Sequence, residues 1–132
     1  PATTSAERPL EGTLESGGVT SKYSASFRNG TLVSIQEERD AGDAGKAGAE
    51  YQFKEGRLLR YIELGTRTGA AGKQQLEFDF AFDDTGEMLA ARKTVDDTAM
   101  KPDIADIYAA RNRADLLRNH ALALKASRDH AH

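Results

Sequence analysis

Apolar and polar positions alternate with a period of two from Tyr23 to about Ala91, and from Asp103 apolar positions recur every three to four residues. A period of two belongs to strands with one buried face, and a period near 3.6 to an amphipathic helix. Within the alternating part, three stretches share one short pattern: an aromatic pair, a turn with Gly, then a large apolar residue. They run Tyr23–Leu32, Tyr51–Leu58 and Phe80–Met88, with turn glycines Gly30, Gly56 and Gly86 spaced 26 and 30 residues apart. A recurring unit of this size is one supersecondary element used several times. Here the element is a β-hairpin.

A first short strand is expected at Leu10–Leu14, ended by Ser16-Gly17-Gly18. A three-residue turn with Gly30 left-handed, the common bulged hairpin, places Tyr23, Ala25 and Phe27 on one face with Val33 and Ile35. The same rule gathers Tyr51, Phe53, Leu59 and Tyr61. With a four-residue loop at Asp83–Gly86 it gathers Phe78, Phe80, Phe82, Leu89 and Ala91. A one-residue slip would turn half of each set to solvent. In this register Leu32, Leu58 and Met88 point to the opposite, solvated face with Ile62, among Ser24, Ser26, Gln52, Arg60 and Asp79. The trio then forms either a patch near one rim or a small core beneath a loop or the N-terminal segment. Two stretches of Gly, Ala and charge, Ala41–Gly48 and Gly65–Gly72, read as mobile surface loops.

The last third starts with Pro102 and Asp103, a helix-capping pair, with Asp106 suited to the positive end of the helix dipole. Ile107, Ala110, Ala114, Leu117, Ala121 and Leu124 form an apolar stripe of helical period. The fold class is therefore α+β: an antiparallel β-meander of six or seven strands, built on three repeated hairpins, with one long C-terminal α-helix packed on the aromatic face. Residues 1–9 form a lead-in, and 10–132 a single domain, with the meander at 10–97 and the helix at 103–129. The expected core is Tyr23, Phe27, Val33, Ile35, Tyr51, Phe53, Leu59, Tyr61, Phe78, Phe80, Phe82, Leu89, Ile107, Leu117 and Leu124.

The aromatic-x-x-Gly-x-Leu unit at Phe27–Leu32 and Phe53–Leu58 resembles the MORN-type and antitoxin-like hairpin repeats of bacterial proteins. The resemblance concerns the hairpin alone, and no function is carried over from it.

Composition narrows the chemistry. The 132 residues carry a formal charge of −3 and 30% charged residues, without the basic field of a nucleic-acid protein. No stretch has the apolar length of a membrane span. The small, polar opening from Pro1 to Pro9 suggests an exported, periplasmic protein of bacterial type, with a cytoplasmic setting as the alternative.

No catalytic set emerges, and the chain is not expected to be an enzyme. There are no cysteines and no Gly-x-Ser-x-Gly elbow, and the serines at Ser24, Ser26 and Ser34 have no histidine near in sequence. The acid pairs Glu37-Glu38, Asp83-Asp84 and Asp96-Asp97 read as solvated residues at turns or strand ends, with Asp83 and Asp84 as turn formers. Neither Gly45-Lys46 nor Gly72-Lys73 has the spacing of a phosphate loop. His120 reads as a packed or surface histidine. Asp129, His130 and His132 offer metal donors without a fixed geometry, so neither a metal nor a cofactor is expected.

Two functional classes remain. One is a non-catalytic protein-binding module with an inhibitor or immunity-type role. Its contact residues are Leu32, Leu58, Met88, Arg57, Arg60 and Ile62, since interfaces favour apolar anchors and arginines. Its partner is an unidentified protein, and an unpaired edge strand offers a route to a homodimer. The other is a carrier or sensor of a small apolar ligand held between sheet and helix.

Overall fold

In a computed structural model that describes residues 8–70 and 72–130, the chain forms one eight-stranded antiparallel sheet crossed by one helix. The strands follow one another as a simple meander: β1 (Leu10–Ser16), β2 (Val19–Arg28), β3 (Thr31–Asp40), β4 (Gly45–Lys54), β5 (Arg57–Gly69), β6 (Gly72–Phe82), β7 (Met88–Val95) and β8 (Thr98–Met100). Helix α1 spans Ile104–His130. The expected α+β architecture is what the chain adopts, with the short β8 as the extra strand. No helix among the described residues is long and apolar enough to cross a membrane.

The turns differ in detail from expectation. Asn29-Gly30 and Glu55-Gly56 have both residues at positive φ (52° and 79°, 52° and 81°), so these are two-residue turns of the type that matches strand twist. The extra residue appears further along. Phe27 faces Leu32, Phe53 faces Leu58 and Phe82 faces Met88, and the ladder then skips one residue, leaving Val33, Leu59 and Leu89 bulged. A bulge at the turn and a bulge just after it restore the same alternation. Ile35, Tyr61 and Ala91 therefore reach the core face in either register, and only the residues beside the turn change places. Leu32 is buried, Leu58 and Met88 pack against the core, and Leu89 is 68% exposed. Val33 and Leu59 are half-buried, as is Leu124 in the helix.

The two Gly-Ala stretches are also not the loops expected of them. After a single 3₁₀ turn at Gly42–Ala44, residues Gly45–Gly48 pair with Leu64–Arg67. Residues Gly65–Gly69 pair in turn with Gly72–Leu76. Small residues belong here because the backbones and neighbours come too close for more. A Cβ on Gly65 would lie 2.6 Å from the Cβ of Ala47.

Strand register arranges the helix-side face in rows. The apolar row runs Leu10, Ala25, Ile35, Tyr51, Tyr61, Phe80 and Ala91, one residue per strand. Ring centroids along it lie 5.2 Å apart for Tyr51 and Tyr61 and 5.8 Å apart for Tyr61 and Phe80. Ala110, Ala114, Leu117 and Ala121 cover this row, and Tyr51, Ile35, Phe80 and Leu117 are shielded from solvent.

The helix crosses the strands with a matched repeat. Seven residues of α-helix rise about 10.5 Å, and two strands of a sheet span about 9.5 Å. Arg111, Arg118 and Lys125 are seven apart and meet the three repeated hairpins in turn. Arg111 Nη2 donates to Gly86 O (2.6 Å), Arg118 Nη1 to Gly56 O (2.8 Å), and Lys125 Nζ sits 5.1 Å from the Phe27 ring centre. At the helix start Asp106 accepts from the Asp103 backbone N–H (3.0 Å) and from Lys93 Nζ (2.8 Å). One carboxylate thus caps the helix and ties it to β7.

Two substitutions test this packing by urea denaturation. Leu117→Ala should cost about 2–5 kcal/mol, because the hole opens in a fully shielded site. Gly12→Ala should cost about 1–3 kcal/mol, because the added methyl runs into the Tyr23 ring laid across β1.

Candidate functional site

Among the described residues, a dense polar cluster lies on the helix side of the sheet, one row from the aromatics. Register places Tyr23, Glu37, Ala49, Glu63, Phe78 and Lys93 side by side, with Ser21 and Arg39 together in the next row. Glu37 is only 2% exposed. Its Oε1 accepts from Tyr51 Oη (2.6 Å) and Arg39 Nη2 (2.9 Å). Its Oε2 accepts from Ser21 Oγ (2.6 Å) and, across the interface, from Arg113 Nε (3.0 Å). Arg39 Nη1 donates to Glu63 (3.1 Å), which also accepts from the Tyr61 hydroxyl. Two arginines and two glutamates balance in charge.

The cluster holds the residue types of a catalytic constellation, in the following protonation states. Burial alone would raise the Glu37 pKa, but the Arg39 hydrogen bond and charge, with Ser21 and Tyr51, hold it below its ordinary value. Burial lifts the Tyr51 and Tyr61 hydroxyls well above theirs, and the adjacent carboxylates add to this. A catalytic acid or base needs a proton it can exchange near neutrality. Glu37 has four residues donating to it and is held ionised; the phenols are held protonated. What the cluster does is fix the helix on the sheet through Arg113.

The expectation that the Glu37-Glu38 pair is solvated therefore fails for Glu37. Beyond the bulge, odd-numbered β3 residues face the helix, so Glu37 follows Ile35 inward while Glu38 faces out. Asp83 is the turn former expected: its Oδ1 accepts from Thr85 N (2.8 Å), Thr85 Oγ1 (2.6 Å) and Glu87 N (3.0 Å). Asp96-Asp97 likewise form the turn into β8, both with positive φ. His120 is half-buried, its Nδ1 2.6 Å from the Tyr23 hydroxyl. His130 is exposed in the last helical turn, and His132 lies outside the described residues.

The other face of the sheet has no covering element among the described residues. Its central row reads Glu11, Ser24, Gln36, Glu50, Ile62, Asp79 and Arg92. The next row carries Lys22, Glu38, Gly48, Leu64 and Glu77. Among the sequence-derived contact residues, Arg60 and Ile62 belong to this face. Arg60 makes a two-pronged pair with Asp79 (3.0 and 2.8 Å). Arg57 is exposed at the rim, donating to Asp84 O. Leu32, Leu58 and Met88 are not brought together with them: each faces its hairpin's aromatic residue on the helix side. Leu64, which the sequence reading passed over, is 58% exposed beside Ile62. Its signal is in the sequence, two residues after Ile62 and so on the same face of the same strand.

A hollow of about 910 Å³, open to solvent, is lined by Gly12, Tyr23, Glu37 and Ala49 of the sheet and by His120, Leu124 and Arg128 of the helix, with Ser24, Gln36 and Glu50 also bordering it. Comparison with family models, curated proteins and solved structures finds no match to this chain.

The ion pairs of Glu37 set a pH dependence. A carboxylate with a depressed folded pKa contributes stability that is present above its unfolded pKa and is lost as pH falls through the folded one. Stability measured by urea should therefore decline as pH drops below the ordinary carboxylate range, and Glu37→Gln should flatten part of that decline. At neutral pH the same substitution should cost about 3–5 kcal/mol, since it strands Arg113 and Arg39 without their shared partner.

Proposed function

We propose that this chain is a non-catalytic protein-binding module whose contact surface is the uncovered sheet face and the adjoining hairpin rim. One observation carries the reading: Ile62 and Leu64 stand side by side as large apolar residues on a broad face whose neighbouring rows are mainly Ser, Gln, Glu, Asp, Lys and Arg. Apolar anchors within a polar, arginine-bearing surround are what protein interfaces favour. An antiparallel sheet is stable with one face in water, so the fold itself does not need this face covered. The inhibitor or immunity-type form of the role, in a bacterial envelope, carries over from the sequence as part of the proposal.

The contact set proposed is Arg57, Arg60, Ile62 and Leu64. Leu32, Leu58 and Met88 contribute from behind, by packing the rim that presents Arg57. The carrier reading would have to use the open hollow beside Tyr23, Ala49, His120 and Leu124, because the centre of the interface is filled. The apolar row and the alanine stripe meet side chain to side chain, and Tyr51, Phe80, Leu117 and Ala121 are fully shielded.

The test is affinity capture from an extract of the source cells, with wild type and three single variants of verified fold. Leu64→Asp and Arg60→Glu should each weaken retention of a stoichiometric protein partner by about tenfold or more. Tyr108→Asp, on the exposed side of α1, should leave it unchanged. Absence of such a partner, or loss of binding through Tyr108→Asp alone, would overturn the proposal.

A further inference from the structure

Between the second and third repeated hairpins, where α1 crosses them, lies an open groove of about 290 Å³. Leu58 and Phe82 form its apolar wall, and Arg57, Arg111, Arg118 and Thr85 line the rest. Three guanidinium groups from two elements distant in sequence converge on it. Each is positioned by a main-chain carbonyl of a turn: Arg57 by Asp84 O, Arg111 by Gly86 O and Arg118 by Gly56 O. Arg111 is also held over the Phe82 ring, 4.6 Å from its centre.

The carbonyls orient these side chains without neutralising them. Arg118 has a carboxylate partner in Asp115 (3.2 Å), the one acid in the groove's lining. Arg57 and Arg111 have none among the described residues. The buried Arg111 Nε has no hydrogen-bond partner either. Elsewhere in this chain, half-buried arginines are matched: Arg39 and Arg113 both bond Glu37. The half-buried Arg111 is an unmatched cation beside an apolar wall, the exposed Arg57 adds a second unpaired fork at its mouth, and a guanidinium fork suits the oxygens of a carboxylate or phosphate.

We infer that this groove binds a small organic anion, a carboxylate or phosphate monoester on a short apolar body. Its oxygens would be held by Arg57 and Arg111 with Arg118 beside them, and its apolar part would lie against Leu58 and Phe82. The volume is at the lower end of ligand sites, so the body is no larger than a single ring or a short chain. This groove shares Arg57 with the rim of the proposed protein-contact surface, but the inference rests on the groove's own lining and not on that reading.

The experiment is an NMR titration of the backbone amides with benzoate, phenyl phosphate and uncharged benzyl alcohol. Saturable shifts centred on Gly56, Thr85 and Gly86 are expected with at least one of the two anions, and the stronger of them identifies the head group. Benzyl alcohol should bind at least tenfold more weakly. Arg57→Gln, at an exposed position where the fold is not at risk, should weaken anion binding about tenfold. Arg118→Gln should weaken it too, while Leu64→Asp should not. Shifts that fail to saturate, anion binding indifferent to Arg57→Gln, or equal binding of the alcohol would each overturn the inference.

Discussion

Seven residues of α-helix and one pair of β-strands are almost the same length, and the rest of this molecule depends on that match. A helix laid across the strands presents an equivalent flank to each successive hairpin. Arg111, Arg118 and Lys125 use it to reach the third, second and first repeats in turn. The same spacing explains the composition of the stripe beneath. With three aromatic pairs filling the sheet side, the middle of the helix presents Ala110, Ala114 and Ala121, with Leu117 the one large side chain fully buried there. The bulges at Val33, Leu59 and Leu89 lie at equivalent places along one rim. Bulges increase local twist, so three at equivalent places add twist to the same rim of the sheet.

The polar row next to the aromatics complements this arrangement. An apolar interface between an alanine-rich helix and a sheet would tolerate sliding by a turn. The Glu37 carboxylate does not, because Arg113 must meet it together with Ser21, Tyr51 and Arg39. Its cost in desolvation is offset only in one alignment, so the cluster selects an alignment more than it adds stability. Lys93 with Asp106 and Tyr23 with His120 do the same towards the two ends of the helix.

Long-range architecture was legible in the sequence because it rests on periodicity. Alternation and aromatic pairs gave the hairpins, and the change of period at Asp103 gave the helix. What escaped were features set by a single residue's backbone. Asn29-Gly30 fits both a two-residue and a three-residue turn, and the two differ only in whether Leu32 or Val33 faces inward. The Gly-Ala stretches carry no hydrophobic signal, yet they are strands because small residues permit close approach. Glu37 was hidden by its type: a glutamate beside another glutamate reads as solvated. Its inward position followed from counting two residues past Ile35. Its partner Arg113 lies 76 residues away, where no local pattern points back to it. The groove between the hairpins escaped for the same reason, since Arg57 and Arg111 meet only through the tertiary fold.

The order of elements along the chain has a consequence in time. Each strand of the meander pairs with the one made just before it, so the sheet can zip together as the polypeptide emerges. The helix follows all eight strands. Until it arrives, Tyr51, Tyr61 and Phe80 lie bare on a sheet already formed, which is the kind of surface that chaperones hold and that aggregates recruit. The most hydrophobic face of this protein is thus the last to be closed, and the window of vulnerability lasts as long as the helix takes to be made.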